Sequence, residues 1–212
     1  MKLLKIQVFF TIILTVLVSF TSCNTTNQNR NDIPNSKTQD ILFPSLSSKN
    51  YIIDADIFEP AETIEDLYDK SNCVVVGSVI NSYNYNHNDV LDFSCANVKI
   101  EKVLKGDLST GDTVNIEEVG TQTEKYNISI GGAPLLKEKM RVVLFLTQPS
   151  DVIQGFPAYG IVDCVTGKFF YDNNKKIYPA INFAESFSSK LSDISGSLTE
   201  KEFINKLEAC KS

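Results

Sequence analysis

Two nearly continuous apolar segments constrain this chain more than any other feature. Residues 73–80 read Cys-Val-Val-Val-Gly-Ser-Val-Ile and residues 140–146 read Met-Arg-Val-Val-Leu-Phe-Leu. The first is rich in β-branched residues and predicts a strand covered on both faces or crossing a barrel, with Gly77 as a point where it can bend. The second is the strongest strand signal in the chain. Between them, residues 93–104 alternate, with Ala96, Val98 and Ile100 predicted inward and Asn97, Lys99 and Glu101 outward. Turn signals at Lys105-Gly106-Asp107 and Thr110-Gly111-Asp112 lead to a third core strand over 113–119, with Val114 and Ile116 on one face. Gly131-Gly132-Ala133-Pro134 breaks the pattern.

Weaker strand signals frame this centre. Residues 51–53 predict a first short strand, and 159–165 with 169–171, separated by Thr166-Gly167, predict a closing hairpin. A further short strand is expected over 177–183. Two helices are expected, near 63–70 and 199–210. In the first, Ile64, Leu67 and Tyr68 share a side; in the second, Thr199 caps and Phe203, Ile204 and Leu207 form an apolar stripe.

The N-terminus speaks to location. Lys2 and Lys5 precede an apolar run from Ile6 to Phe20, shorter than the roughly 20 residues a membrane-spanning helix requires. The following Phe20-Thr21-Ser22-Cys23 resembles a bacterial lipoprotein signal, in which the cysteine is acylated and becomes the first mature residue. Phe20 stands where leucine is usual, which keeps plain secretion and a retained helix as alternatives. The division expected is a signal peptide over 1–22, a lipid-anchored polar tether over 23–50 and one β-rich domain over 51–212. This places the domain at the extracellular face of the cell membrane, or outside the cell if it is secreted.

The formal net charge is -6, and losing Lys2 and Lys5 makes the mature part more acidic; with no basic stripe, a nucleic-acid partner is excluded. Once Cys23 is set aside, Cys73, Cys95, Cys164 and Cys210 permit two disulfides in any of three connectivities. No CxxC pair supports thiol exchange or zinc binding, and no metal or cofactor is expected.

Candidate site residues concentrate in Tyr83-Asn-Tyr-Asn-His-Asn-Asp89. Tyr83 and Tyr85 offer flat rings with polar tips, suited to a carbohydrate or protein surface. His87 with Asp89 or Asp92 is the one grouping that offers acid-base or metal chemistry, and it defines a hydrolase alternative. Asp54, Asp56, Glu59 and Glu62 lack a calcium-loop spacing and read as a solvated edge. Glu117 and Glu118 are adjacent on a strand, point to opposite faces and cannot form a glycosidase pair. Ser129, Ser188 and Ser195 lack a nucleophile-elbow context.

The succession from Asn72-Cys-Val-Val-Val-Gly-Ser-Val, through Val98-Lys-Ile-Glu-Lys-Val-Leu-Lys-Gly-Asp and Gly111-Asp-Thr-Val, to Leu136-Lys-Glu-Lys-Met-Arg-Val-Val-Leu-Phe-Leu resembles small exported lipoproteins of low-GC Gram-positive bacteria. More distantly it is similar to the netrin-like and tissue-inhibitor-of-metalloproteinase group. That resemblance implies a five-stranded OB-type barrel flanked by helices, with the C-terminal helix packed on it. It does not carry over the group's protease-zinc chelation, which needs the first mature cysteine at the barrel edge, whereas Cys23 lies about fifty residues before Cys73. The expected function is a surface-tethered, non-catalytic module that contacts an extracellular protein, a peptide or a cell-envelope glycan through loops at 83–89 and 121–134. A structural envelope protein with no small ligand is the remaining alternative.

Overall fold

The computed structural model describes residues 49–54, 59–86, 92–153, 155–184 and 190–211. Its centre is an antiparallel meander of long strands, β2 (Cys73–Asn86), β3 (Asp92–Lys105) and β4 (Thr113–Gln122). On the far side of β2 lies β6 (Arg141–Leu146), followed in lateral order by β9 (Lys168–Tyr171), β10 (Lys176–Pro179) and β11 (Leu198–Thr199). On the other flank, β4 continues to β5 (Tyr126–Ile130), which pairs in parallel with β1 (Lys49–Ile53). The hairpin β7 (Asp151–Ile153) and β8 (Phe156–Gly160) joins β4 through a parallel β4–β8 ladder. Among the described residues these eleven strands form one mixed sheet.

The sheet has two cores because its central strands are buried on both faces. Alternation puts Val75, Ala96, Val98, Ile100, Val114, Ile116, Val142, Leu144 and Phe170 in an interior core. The opposite rows, Val74, Val76, Val143, Phe145, Phe169 and Tyr171, face the two helices. Helix α1 (Ile64–Lys70) contributes Ile64 and Leu67, and α2 (Glu200–Ala209) contributes Phe203 and Leu207. Both start with a capping box, Thr63 with Asp66 and Thr199 with Glu202, so two orphan N–H groups are satisfied at each N-terminus. Phe203 meets Phe169 and Phe145 edge-on, with centroids 5.1 and 6.3 Å away, and locks α2 to the sheet.

Gly77 marks an irregularity in the β2–β3 register, where the strands come very close. A Cβ there would lie 2.6 Å from Val98 Cγ1 and 2.7 Å from Lys99 O, so only glycine fits without displacing β3.

Several expectations are corrected. The sheet is open and larger than a self-contained five-stranded barrel. β6 spends its outer edge on β9 and meets the β8 side only through the bridge Leu146↔Ile161 and the bond Thr147 N to Gly160 O, 3.0 Å. Residues 121–134, expected as loop, contain the end of β4 and all of β5. Residues 159–165 do not form a strand hairpinned to 169–171. Asp163 and Cys164 both take left-handed backbone, φ 51° and 58°, which ends the extended run, and Asp163 turns away to accept Ala61 N–H at 2.7 Å. The short strand expected over 177–183 stops at Pro179 and becomes a 3-10 turn, Ala180–Phe183.

The two disulfides that the cysteine count permits are not formed; all four thiols are free. Cys73 and Cys95 lie toward opposite ends of the β2–β3 ladder, Cys164 sits in an exposed turn, and Cys210 caps α2 and donates to Lys206 O at 3.2 Å. The N-terminal signal, Cys23 and the tether up to residue 48 lie outside the described residues. No described helix is long and apolar enough to cross a membrane.

Candidate functional site

Beyond Ser78 β2 leaves β6 and continues with β3 as an arm in which Tyr83 opposes Cys95 and Tyr85 opposes Phe93, while β3 stays paired to β4 as far as Phe93. Tyr85 and Phe93 stack with centroids 5.6 Å apart, a cross-strand aromatic pair that stiffens the arm. His87 and Asp89 lie outside the described residues. Asp92 opens β3 opposite Asn86, half-buried. Among the described residues no three metal-ligating side chains gather in one place.

The arm is fastened to β4 by a reciprocal pair of hydrogen bonds. Asn84 Nδ2 donates to Gln122 O at 2.8 Å, and Gln122 N donates to Asn84 Oδ1 at 3.3 Å. The asparagine amide thus acts as a peptide group where the main-chain ladder between β3 and β4 has ended at Phe93↔Val119. That ending follows from Gly120, whose φ of 128° swings β4 across to β5. A Cβ there would meet Ile128 O at 2.3 Å. The two regions expected to carry the contact surface are therefore brought side by side.

They enclose a groove of about 490 Å³ whose lining includes Ser82, Tyr83, Asn84, Gln122, Thr123 and Leu135. Tyr83 lines it with a buried hydroxyl that has only the Cys95 thiol beside it and no oxygen or nitrogen partner. Burial and the neighbouring Cys95 thiol push its pKa up to about 12, so the group stays an O–H donor at any physiological pH.

A second cavity, of about 220 Å³, shares Leu135 with the groove and is walled by Phe93, Val119, Ile130 and Val165. In its lining lies a buried ion pair, Glu118 with Lys168. Glu118 continues the inward row of Val114 and Ile116, and Lys168 shares the inward row of β9 with Phe170. Removing two charges from water is tolerable only if their remaining hydrogen-bonding capacity is used. Here Lys168 Nζ also donates to Pro134 O at 2.6 Å, and Glu118 Oε2 accepts Leu136 N–H at 2.7 Å. The pair therefore pins residues 134–136, which form the wall between groove and cavity.

Tyr83 is one of the residues the sequence singles out; Asn84, Glu118 and Lys168 were missed as site residues. The signal for Glu118 was available, because the alternation that puts Val114 and Ile116 inward also puts a carboxylate inward two residues later. Nothing local marked Lys168 as its partner, since the contact joins β4 to a strand that is not its neighbour in the sheet.

Unsatisfied polar groups gather in the same place. Among the described residues the buried hydroxyls without a partner are those of Tyr83, Ser94, Ser129, Thr166 and Tyr171. The first two belong to the groove lining and Ser129 to the cavity lining. Natural folds leave few such groups, and each calls for a water, an ion or a ligand.

No protein-family model matches the chain, and comparison with curated proteins returned no relative.

Proposed function

We propose that the chain is an exported, surface-tethered binding module without catalytic activity, held to the membrane through Cys23. It takes a hydroxyl- and amide-rich envelope ligand, a glycan or a peptide, in the groove beside Tyr83. The observation that carries this reading is the Asn84–Gln122 clasp, which unites the two segments singled out by sequence into one groove with an aromatic wall. A tyrosine ring amid amide and hydroxyl groups suits ligands that present an apolar face and a polar rim.

The barrel reading belongs with this proposal. The strands β2, β3, β4, β8 and β6 follow one another laterally: β4 and β8 run in parallel, the bridge Leu146↔Ile161 links the end of β8 to β6, and β6 pairs with β2. This order supports a partly open, OB-like barrel with further strands added at its edges. Barrels of that kind bind oligosaccharides and oligonucleotides on strands 2 and 3 and in the loop between strands 1 and 2. The arm is that loop, and the acidic charge of the chain disfavours nucleic acid.

The test is a chemical-shift titration of the labelled protein with neutral oligosaccharides and short peptides. We expect shifts at Tyr83, Asn84 and Gln122, and about a tenfold loss of affinity in Tyr83→Ala, the scale of one aromatic contact. Binding that Tyr83→Ala leaves unchanged, with shifts elsewhere, would remove the groove from consideration.

A further inference from the structure

A third concavity, of about 640 Å³, is formed by residues 137–141 and the turn between β9 and β10, with Glu200 also in its lining. Most of its charges are already committed. Arg141 donates to Glu101 at 2.7 Å and to Glu200 at 3.3 Å, and lies over the Tyr171 ring, 4.1 Å from the centroid. Asp172 Oδ1 accepts the backbone N–H groups of Asn174 and Lys176, each at 2.8 Å, to build the turn. Glu138 and Lys139 approach each other at 4.0 Å.

Three groups are left over. Among the described residues no carboxylate lies within ion-pair distance of Lys137 or Lys175. Lys137 is half-buried, and burial pulls its pKa down with no counter-charge to offset the cost. Lys175 is held in left-handed backbone, φ 62°, by its N–H to Asp172 O at 3.0 Å. Tyr171, more than nine-tenths buried and part of the lining, has a hydroxyl with no partner. Burial drives its pKa up to about 12 against the pull of Arg141, so it remains a protonated donor.

We infer that this concavity binds a phosphate group, with Lys137 and Lys175 as its point charges and the buried Tyr171 O–H at its wall as a donor. Lys137, Lys175 and the Tyr171 O–H have no acceptor of their own among the described residues, and together they offer an anion two positive charges and a hydrogen-bond donor. The donor types favour phosphate over carboxylate. The planar guanidinium fork that matches a carboxylate belongs to Arg141, and Glu101 and Glu200 already occupy it, whereas ammonium groups act as point charges around a tetrahedral anion. The site adjoins the Tyr83 groove and shares Lys137 and Glu138 with its lining, while Tyr171 and Lys175 belong to the concavity alone, so variants at those two test the inference whether or not the groove binds a ligand.

The test is calorimetric titration of the full-length protein with inorganic phosphate, glycerol 3-phosphate and acetate at low ionic strength, alongside co-flotation with phosphatidylglycerol or phosphatidylcholine vesicles. We expect binding of at least one phosphate probe, weak or no heat from acetate, and about a tenfold loss in Tyr171→Phe, the scale of one hydrogen bond to a charged group. Lys175→Asn, which keeps a residue tolerant of left-handed backbone, should lose as much, while Lys102→Ala on the exposed face of β3 should lose nothing. Flotation stronger with phosphatidylglycerol than with phosphatidylcholine, the excess abolished by Tyr171→Phe, would assign the phosphate to a lipid headgroup; binding of soluble phosphates with equal flotation on both lipids, as the N-terminal anchor alone would give, would assign it to a soluble or wall-borne one. Acetate binding as tight as phosphate, no heat from any phosphate probe, or full binding in both variants would overturn the site. Tyr171→Phe deletes an unpaired hydroxyl and keeps the ring under Arg141, so its folding is not at risk. Lys175→Asn, on the surface, gives an independent reading.

Discussion

The helix-covered face of the sheet and the end that carries the groove are built from the same strands and satisfy opposite demands. On the helix side, Phe145, Phe169 and Phe203 interlock, each helix start is capped, and the buried residues are almost all apolar. At the groove end the inward rows of β3 and β4 change from Ala96 and Ile116 to Ser94 and Glu118, and buried hydroxyls go without partners. The ladder changes character at one level, just past the Ala96↔Ile116 pair. The lesson is a division of labour along the strands: one stretch generates stability, and the next gives some of it up to hold polar groups near open space.

The largest effects should come from breaking the stable side. Phe203→Ala removes the side chain that locks α2 to the sheet, and should cost about 3–5 kcal/mol, the usual range for emptying a buried aromatic site. Denaturant melts would read the loss. The comparison predicts that shifts on titrating the groove stay as in the parent wherever the variant is folded. If groove binding falls in step with stability, the two regions are one cooperative unit and the division fails.

Next in size is the ion pair. Lys168→Met alone leaves the Glu118 carboxylate buried and unpaired, and should destabilise by about 3–5 kcal/mol. Combining it with Glu118→Leu should recover most of that loss, because a well-packed apolar pair replaces buried charge at little net cost. Residues 134–136 should nevertheless stay loosened in the double variant, since Pro134 O and Leu136 N–H lose their charged partners. Faster amide exchange at Leu136 in a protein of near-parental stability would show that the pair is kept for the shape of the wall. Unchanged exchange would show that it matters only to the interior core.

How much of this was legible follows from how local each signal is. β2, β3, β6 and both helices were readable because alternation, apolar runs and caps such as Thr199 with Glu202 are written within a few residues. The hairpins β4–β5 and β7–β8 were local and were missed, whereas the parallel pairings of β1 with β5 and of β4 with β8 were obscure because a partner far along the chain leaves no local mark. The turn after β8 was misread for the same reason: Ile161 and Val165 look like strand, while the bond from Ala61 N to Asp163 that holds the turn is 102 residues long-range. Of the site, the arm and its tyrosines were legible as an aromatic, amide-rich segment. The phosphate concavity was not, since Lys137, Tyr171 and Lys175 look ordinary until β6, β9 and β10 set them around one space.

The smallest effect tests whether the stable side depends on its caps. Asp66 Oδ2 accepts the backbone N–H groups of Glu62 at 2.9 Å and Thr63 at 3.0 Å, and these bonds, with the Thr63 side chain, hold its carboxyl below the usual aspartate range. A carboxyl whose pKa is lower folded than unfolded adds stability above its unfolded value, and that stability is lost as pH falls through the folded one. α1 should therefore loosen at its N-terminus as the solution is acidified below the ordinary aspartate range, with faster amide exchange at Glu62 and Thr63. Asp66→Asn should show the loosened state already at neutral pH and lose the acid dependence, since an amide accepts the same bonds more weakly and does not titrate there. The Tyr83–Asn84–Gln122 side of the groove should not follow the α1 transition, because Tyr83 stays protonated throughout and neither amide titrates. A groove signal that tracked the α1 transition would tie the helix-covered face to ligand binding and overturn the separation drawn from the strands.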